Sequence, residues 1–254
     1  MNFEPNTTIR SVEISCEIIE TIKKMGSGNI SEISDQLDYS NSTIHDHLAT
    51  LRANQLITRE GKRYKLGLEF VSHSQHVKNQ WFDFPLIREA VEELGDKTGE
   101  RARFGSEDYG HLFYIYEVSG DSKIGKRSQS SIQEPLHCTA IGKAILALQP
   151  EHRIKEIIEY HGLEQRTPNT ITDYDDLMDE LEQVRNQKYA IDDEELTMGR
   201  RCVAAPVLRD EIAIGALGVS GPASRLEDDR ISDELAREVR RVANVIEINS
   251  IFST

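Results

Sequence analysis

Arg52, Arg59, Lys62, Arg63 and Lys65 fall between positions 52 and 65 and face only Glu60, a local excess of four positive charges. Cations grouped in this way suit a row of phosphates, although a solvated face has the same composition. Just upstream, Ser42, Thr43 and His45 carry small polar groups able to meet base edges in a major groove. Asp192-Asp193-Glu194-Glu195 places four carboxylates side by side. Adjacent side chains point different ways, so this run reads as a solvated loop from which one member could turn inward. His73 and His76 lie three residues apart, and two surface histidines explain that pair more simply than a metal site. Cys16, Cys138 and Cys202 lie far apart without a CxxC, which excludes a disulfide framework and a CxxC zinc site. Cys138 and Cys202 read as inert buried thiols unless they share a pocket. There is no GxGxxG, P-loop, HExxH or GxSxG, and Ser220 in Gly218-Val219-Ser220-Gly221-Pro222 lacks the spacing of a nucleophile elbow. The sequence therefore points away from an enzyme, a metal site and a bound cofactor.

The elements that would hold these groups follow from periodicity. Val12, Cys16, Ile18, Ile19 and Ile22 give a broad apolar helical face that stops near Met25, before Gly26-Ser27-Gly28. Ser31 is a cap for a second helix carrying Ile33 and Leu37; Asn41 or Ser42 caps a third with Ile44, Leu48 and Leu51. Residues 56–59 and 62–66 form two short strands around Glu60-Gly61. Three helices and a basic hairpin outline a winged helix-turn-helix over 1–66, with a small helical protein-interaction domain as the alternative. Residues 67–80 read as a linker helix and 81–254 as a second domain. There, Ile87, Val91 and Leu94 form a helix ended by Gly95 to Gly99, and residues 112–118 form a strand. Leu177, Leu181 and Val184 form a helix capped by Thr172 or Asp173. Residues 202–208 and 212–219 are apolar strands joined by Arg209-Asp210-Glu211, and Ile231, Leu235, Val239, Val242 and Ile246 mark a long final helix. Hairpin-paired strands with helices on a face predict an α+β domain with a mainly antiparallel sheet.

The 254 residues carry 30 basic and 44 acidic groups, for a net charge of −14, and 38% hydrophobic residues. Residues 1–78 hold 9 basic and 10 acidic groups, so the acidity lies in the remainder. The 19 Arg and 11 Lys under an acid excess fit a salt-rich cytoplasm or an ordinary acidic bacterial or archaeal protein. No stretch reaches about 18 apolar residues and the first ten residues hold no apolar core, so neither a membrane span nor a secretory signal is expected. A cytoplasmic location follows.

Four blocks carry a resemblance. Residues 135–147, PLHCTAIGKAILA, are similar to the "PLHxTAxGKAxLA" block of the IclR-type (isocitrate lyase regulator) transcription regulators. Thr167-Pro168-Asn169-Thr170-Ile171-Thr172 looks like that family's "TxNTIT". Residues 189–195 with Gly199 and residues 202–207 look like its "DxEE…G…CxAAPV", and residues 218–225 close the series. The resemblance spans nearly the whole chain. It implies a winged helix-turn-helix joined to a GAF-like α/β domain that binds a small organic acid or related metabolite.

By that resemblance, Thr139, Ala140 and Ile141 meet the effector at a helix start, where backbone N–H groups would seat a carboxylate. Asp192 lines the pocket and would accept a ligand hydroxyl. Cys202 and Ser220 lie on two strands beneath it. Structural roles remain the alternatives: capping for Thr139, strand pairing for Ser220 and core packing for Cys202. The family usually has Arg where Asp46 stands, so the operator differs from typical sites or Asp46 serves packing. Some members carry Ser where Gly218 stands, which makes the pocket roomier or less polar.

The function expected is a transcription regulator of double-stranded operator DNA, controlled by the small effector. The alternative is a non-DNA sensory or enzymatic module using the α/β pocket. Ser42, Thr43 and His45 would read bases, while Arg59, Lys62, Arg63 and Lys65 would hold the backbone. A homodimer or dimer of dimers would place half-sites about one helical turn (~34 Å) or a multiple apart. The first helix and the apolar linker residues Leu68, Phe70, Val71 and Val77 would pair across the two-fold axis.

Overall fold

The computed structural model describes residues 7–119 and 133–251, in two compact units, Met1–Trp81 and Phe82–Thr254. Residues 1–6, part of the leader reading above, lie outside the described residues.

In the first unit, α1 (Arg10–Met25) buries Ile14, Ile18 and Ile22, one residue every four along a single face. The expected face was drawn too wide, since Val12 is 55% exposed and Cys16 is also exposed. Helix α2 (Ile30–Leu37) is capped by Asn29 rather than Ser31: Asn29 accepts from Glu32 N, and Glu32 accepts from Asn29 N. This reciprocal pair satisfies two donors that a lone Ser31 would leave open. Helix α3 (Asn41–Ala53) is capped by Ser40, one residue before the expected Asn41 or Ser42, because the Ser40 hydroxyl takes Thr43 N at 3.1 Å. Asp38 makes the tight turn at φ 55°. Ile33, Ile44, Leu48, Leu51, Ile57 and Tyr64 complete the core.

The hairpin of β1 (Ile57–Glu60) and β2 (Arg63–Leu66) turns on Gly61-Lys62, one residue later than expected, with Gly61 at φ 61°. It is fastened beside α2 by paired bonds between Gly28 and Tyr64, of 3.1 and 2.8 Å. Helix α4 (Glu69–Trp81) buries no residue: Val71, Val77 and Trp81, with Leu68 just ahead, are exposed.

The second unit runs α5 (Phe84–Thr98), β3 (Arg101–Asp108), β4 (His111–Val118), β5 (Gln133–Pro135), α6 (Ala140–Leu146), α7 (Glu151–His161), α8 (Tyr174–Gln187), β6 (Ala190–Asp193), β7 (Arg200–Arg209) and β8 (Ile212–Pro222). A π-helical turn, Arg230–Leu235, then leads into α9 (Ala236–Ile251). The strands form one antiparallel sheet in the order β5-β4-β3-β8-β7-β6. Helix α5 passes through Gly95 and ends at Gly99 with φ 67°, at the far end of the expected Gly95 to Gly99 stop. Gly95 is required by contact instead, because a Cβ there would lie 2.6 Å from Val118 Cγ2. The β7–β8 hairpin closes on Asp210 and Glu211 at φ 51° and 64°.

Strand alternation gives the sheet two faces. Ala102, Phe104, Val203, Ala205, Leu217 and Val219 face a core shared with Ile87, Val91 and Leu94 of α5 and Val239, Val242 and Ile246 of α9. Each large side chain buried there stabilises the unit by roughly 1.5–3 kcal/mol. Phe104 meets Phe82 edge-on at 5.5 Å. The intervening strand residues line the opposite face and carry the site.

Candidate functional site

On this second face the register aligns one residue from each of four strands. Asp192 of β6 pairs with Cys202 of β7, Cys202 with Ser220 of β8, and Ser220 with Arg101 of β3. Strands lie about 4.8 Å apart, so the row spans about 14 Å. Above it lies a small cavity of about 40 Å³, partly open to solvent. Thr139, Ala140, Ile141, Asp192, Cys202 and Ser220 all line it, together with Arg103, Tyr114, Leu196, Arg200 and Gly218. The structure thus brings all six residues expected around the effector to one cavity.

Asp192 is 6% exposed: it turns inward from the acidic run, as one member was expected to, and Glu195 turns in with it. Its Oδ1 accepts Glu195 N at 2.8 Å and Leu196 N at 3.3 Å. Burial, reinforced by the neighbouring Glu195, pushes its carboxyl up to about 7, against the pull of those two N–H groups. Glu195 is buried as well and takes Lys143 Nζ at 2.6 Å; the same ammonium donates to Glu180 at 2.8 Å. Lys143 is 1% exposed. Burial alone would lower its affinity for a proton, but the two carboxylates outweigh it and raise it. This ion triad holds the β6–β7 connection, whose Glu195 N–H binds Asp192 at the end of β6.

Ser220 is buried, and its Oγ has no hydrogen-bond partner, so a donor and two lone pairs face the cavity unspent. Cys202 lines the cavity, but burial pushes its thiol up to about 12 and keeps it protonated and unreactive. Cys138 is buried outside the lining, likewise pushed up to about 12 by burial, so the two do not form a redox pair here. The Thr139 hydroxyl caps α6 by accepting Gly142 N at 3.0 Å, which gives it a structural duty at the cavity wall. Arg103 stacks on Tyr114 at 4.5 Å and bonds Glu117 at 2.9 Å.

In the first unit, Ser42, His45 and Asp46 are exposed on α3 and Thr43 is half-buried. Asp46 is 78% exposed at the side chain, which excludes the packing role considered for it; it meets His45 Nδ1 at 3.2 Å. On the wing, Lys62 projects from the turn, Lys65 pairs with Glu60, and Arg59 stacks on Tyr64 and donates to Gly61 O. Arg63 is engaged inside the unit, binding Ser27 O, Ser27 Oγ and Glu32. No group of residues able to hold a metal ion occurs among the described residues.

Sequence reading missed Arg103, Tyr114, Lys143 and Arg200. The alternation Arg101-Ala102-Arg103-Phe104 is the signal that would have found β3, since it pairs a charged face with an apolar one.

The comparisons agree with this geometry. The profile described as "Bacterial transcriptional regulator IclR C-terminal" matches residues 84–248, and "IclR helix-turn-helix domain" matches residues 11–61. The chain is 35% identical to the probable HTH-type transcriptional regulator ArcR of Halobacterium salinarum, over 97% of this chain and 95% of that protein. It is 32% identical to the HTH-type transcriptional regulator KdgR of Escherichia coli, over 82% and 80%. Among solved structures, the IclR of Thermotoga maritima superposes with a TM-score of 0.74 at 28% identity, covering 94% of this chain and 100% of that one. The chain belongs to the IclR family of DNA-binding transcription regulators, whose C-terminal domain binds a ligand, and is not an enzyme.

Proposed function

We propose that the chain is a cytoplasmic, dimeric regulator whose grip on double-stranded operator DNA is set by a small organic acid bound over the sheet face. The observation that carries the effector reading is the unspent Ser220 hydroxyl, two strands from the buried Asp192, in a cavity lined by arginines. The helix start contributes less than the sequence suggested: α6 has only seven residues, and Thr139 already spends its hydroxyl on it. The ligand acts through its different affinity for DNA-competent and DNA-incompetent arrangements.

On the DNA side, Ser42, Thr43 and His45 supply base readout and the wing supplies backbone contacts. The test is selection of DNA fragments by the full-length protein, followed by salt titrations on the selected site. Lys62→Ala or Lys65→Ala is expected to weaken binding on all sequences alike and to reduce the salt slope by about one. His45→Ala and Thr43→Ala are expected to change which fragments are selected. Wing variants that alter selection and leave the slope untouched would reverse these roles. Arg63→Ala is expected to loosen the wing from Ser27 and Glu32 as well.

The exposed apolar residues Val12, Leu68, Val71 and Val77 support pairing of two copies through α1 and α4. Light scattering on the full chain checks this. Val71→Asp with Val77→Asp is expected to shift a dimer toward monomer and to weaken operator binding. An unchanged mass would move the main interface to the C-terminal domain.

A further inference from the structure

The effector cavity does not end at Ser220. A second lobe shares Ser220 and Arg200 with it and is closed by Arg101, Arg225 and Ser119. Most cations around the two lobes are already matched. Arg103 has Glu117, Arg201 has Asp193 and Asp228, and Arg225 has Glu100. Arg101 and Arg200 are different: among the described residues, neither has a carboxylate within ion-pair distance. Both are only partly exposed.

The register shows why they act together. Arg101 lies opposite Ser220, and Arg200 lies opposite Pro222, two residues further along β8. Their Cα atoms are therefore about 12 Å apart on one face, a span that two extended arginine side chains close from either side. Burial and the repulsion of Arg103 and Arg200 lower the proton affinity of Arg101, outweighing the more distant attraction of Glu117. Two guanidiniums on one wall of a protein of net charge −14, with no carboxylate of the described residues within ion-pair distance, mark a place that an anion completes.

We propose that the second lobe is an anion subsite, and that the effector is a small dianion whose second acidic group sits between Arg101 and Arg200. The buried, unpartnered Ser220 hydroxyl at the junction of the lobes faces the middle of such a molecule. This rests on the reading of the main cavity as the effector site. The shared chemistry is two anionic groups on a short aliphatic frame, the second a carboxylate or a phosphate.

The test is calorimetric titration of the full-length protein, near neutral pH, with matched probes. These are malonate, succinate, glutarate and adipate, their monocarboxylate partners propionate, butyrate, valerate and hexanoate, and 2-phosphoglycolate. At least one dianion is expected to bind ten or more times tighter than its monoanionic partner. Arg101→Gln is expected to erase that preference by weakening dianion binding far more than monoanion binding, and Arg101→Lys to keep part of it. Preference for phosphoglycolate over every dicarboxylate would assign the second group as phosphate. Monoanions that bind as well as dianions, and lose binding in Ser220→Ala, would overturn the subsite and leave the effector cavity standing. Dianion preference unchanged in Arg101→Gln would also overturn it. Absence of binding by every probe would overturn both readings.

Discussion

Lys143→Ala is expected to destabilise the C-terminal unit by about 3–5 kcal/mol, because it leaves the buried Glu195 and partly buried Glu180 facing each other without a cation. On a unit of this size the loss corresponds to a fall in Tm of roughly 10 °C. The cost comes from the stranded carboxylates rather than from the lysine's own contribution. Lys143→Met combined with Glu195→Gln is therefore expected to recover most of the loss, since removing both charges removes the desolvation penalty as well. Denaturant unfolding of both variants checks this. Equal losses in the two would mean that the stem of Lys143, and not its charge, matters there. The consequence for the site is direct. Glu195 supplies the N–H that orients Asp192, so a loosened triad is also expected to weaken effector binding.

Asp192→Asn is expected to make the fold more stable at pH 8 and to change little near pH 4. In the folded chain the Asp192 carboxyl is held up to about 7, above its ordinary value of about 3.9 when unfolded. Between those values the folded state binds more protons than the unfolded state, so stability falls as pH rises. The penalty is absent below about pH 4, develops up to about pH 7, and is constant above that. At 1.36 kcal/mol per unit, its upper bound is about 4 kcal/mol. Asparagine keeps an oxygen for Glu195 N and Leu196 N but has no charge to lose, so the difference between the proteins should open over this window. Unfolding measured across pH decides it; parallel profiles for the two proteins would refute the assignment. A ligand hydroxyl donated to the ionised form would bind with release of a proton and bind tighter as pH rises through 7.

The legible parts of this molecule are those in which one physical rule dominates. Ile44, Leu48 and Leu51 repeat at helical spacing and are buried at that spacing, and the same holds for Ile87, Val91 and Leu94. The wing was legible because strands of four residues need a glycine turn, and Gly61 provides one. Caps were less legible, since Asn29, Ser31, Ser40, Asn41 and Ser42 are all competent. The choice at α2 went to the pair that satisfies two donors at once, Asn29 with Glu32. Strand β3 carried its signal in the alternation of Arg101 and Arg103 with Ala102 and Phe104, but the two arginines look like surface residues until the cavity above them is known. The acidic run was legible only in part: one inward carboxylate was foreseen, but a buried Glu195 requires Lys143, which lies 52 positions away. The six cavity residues were reached through the resemblance and not through their spacing.

The alternation of the central sheet divides its residues between two kinds of inheritance. Along β3, β7 and β8, one position in every two faces α5 and α9, and the position between faces the cavity. A saturation library over these strands should therefore read as a stripe: loss of abundance at Ala102, Phe104, Val203 and Val219, altered signal response at Arg101, Arg103, Cys202 and Ser220. Descendants of this chain could exchange one metabolite for another by rewriting the second stripe alone, with the scaffold that transmits the signal left as it is.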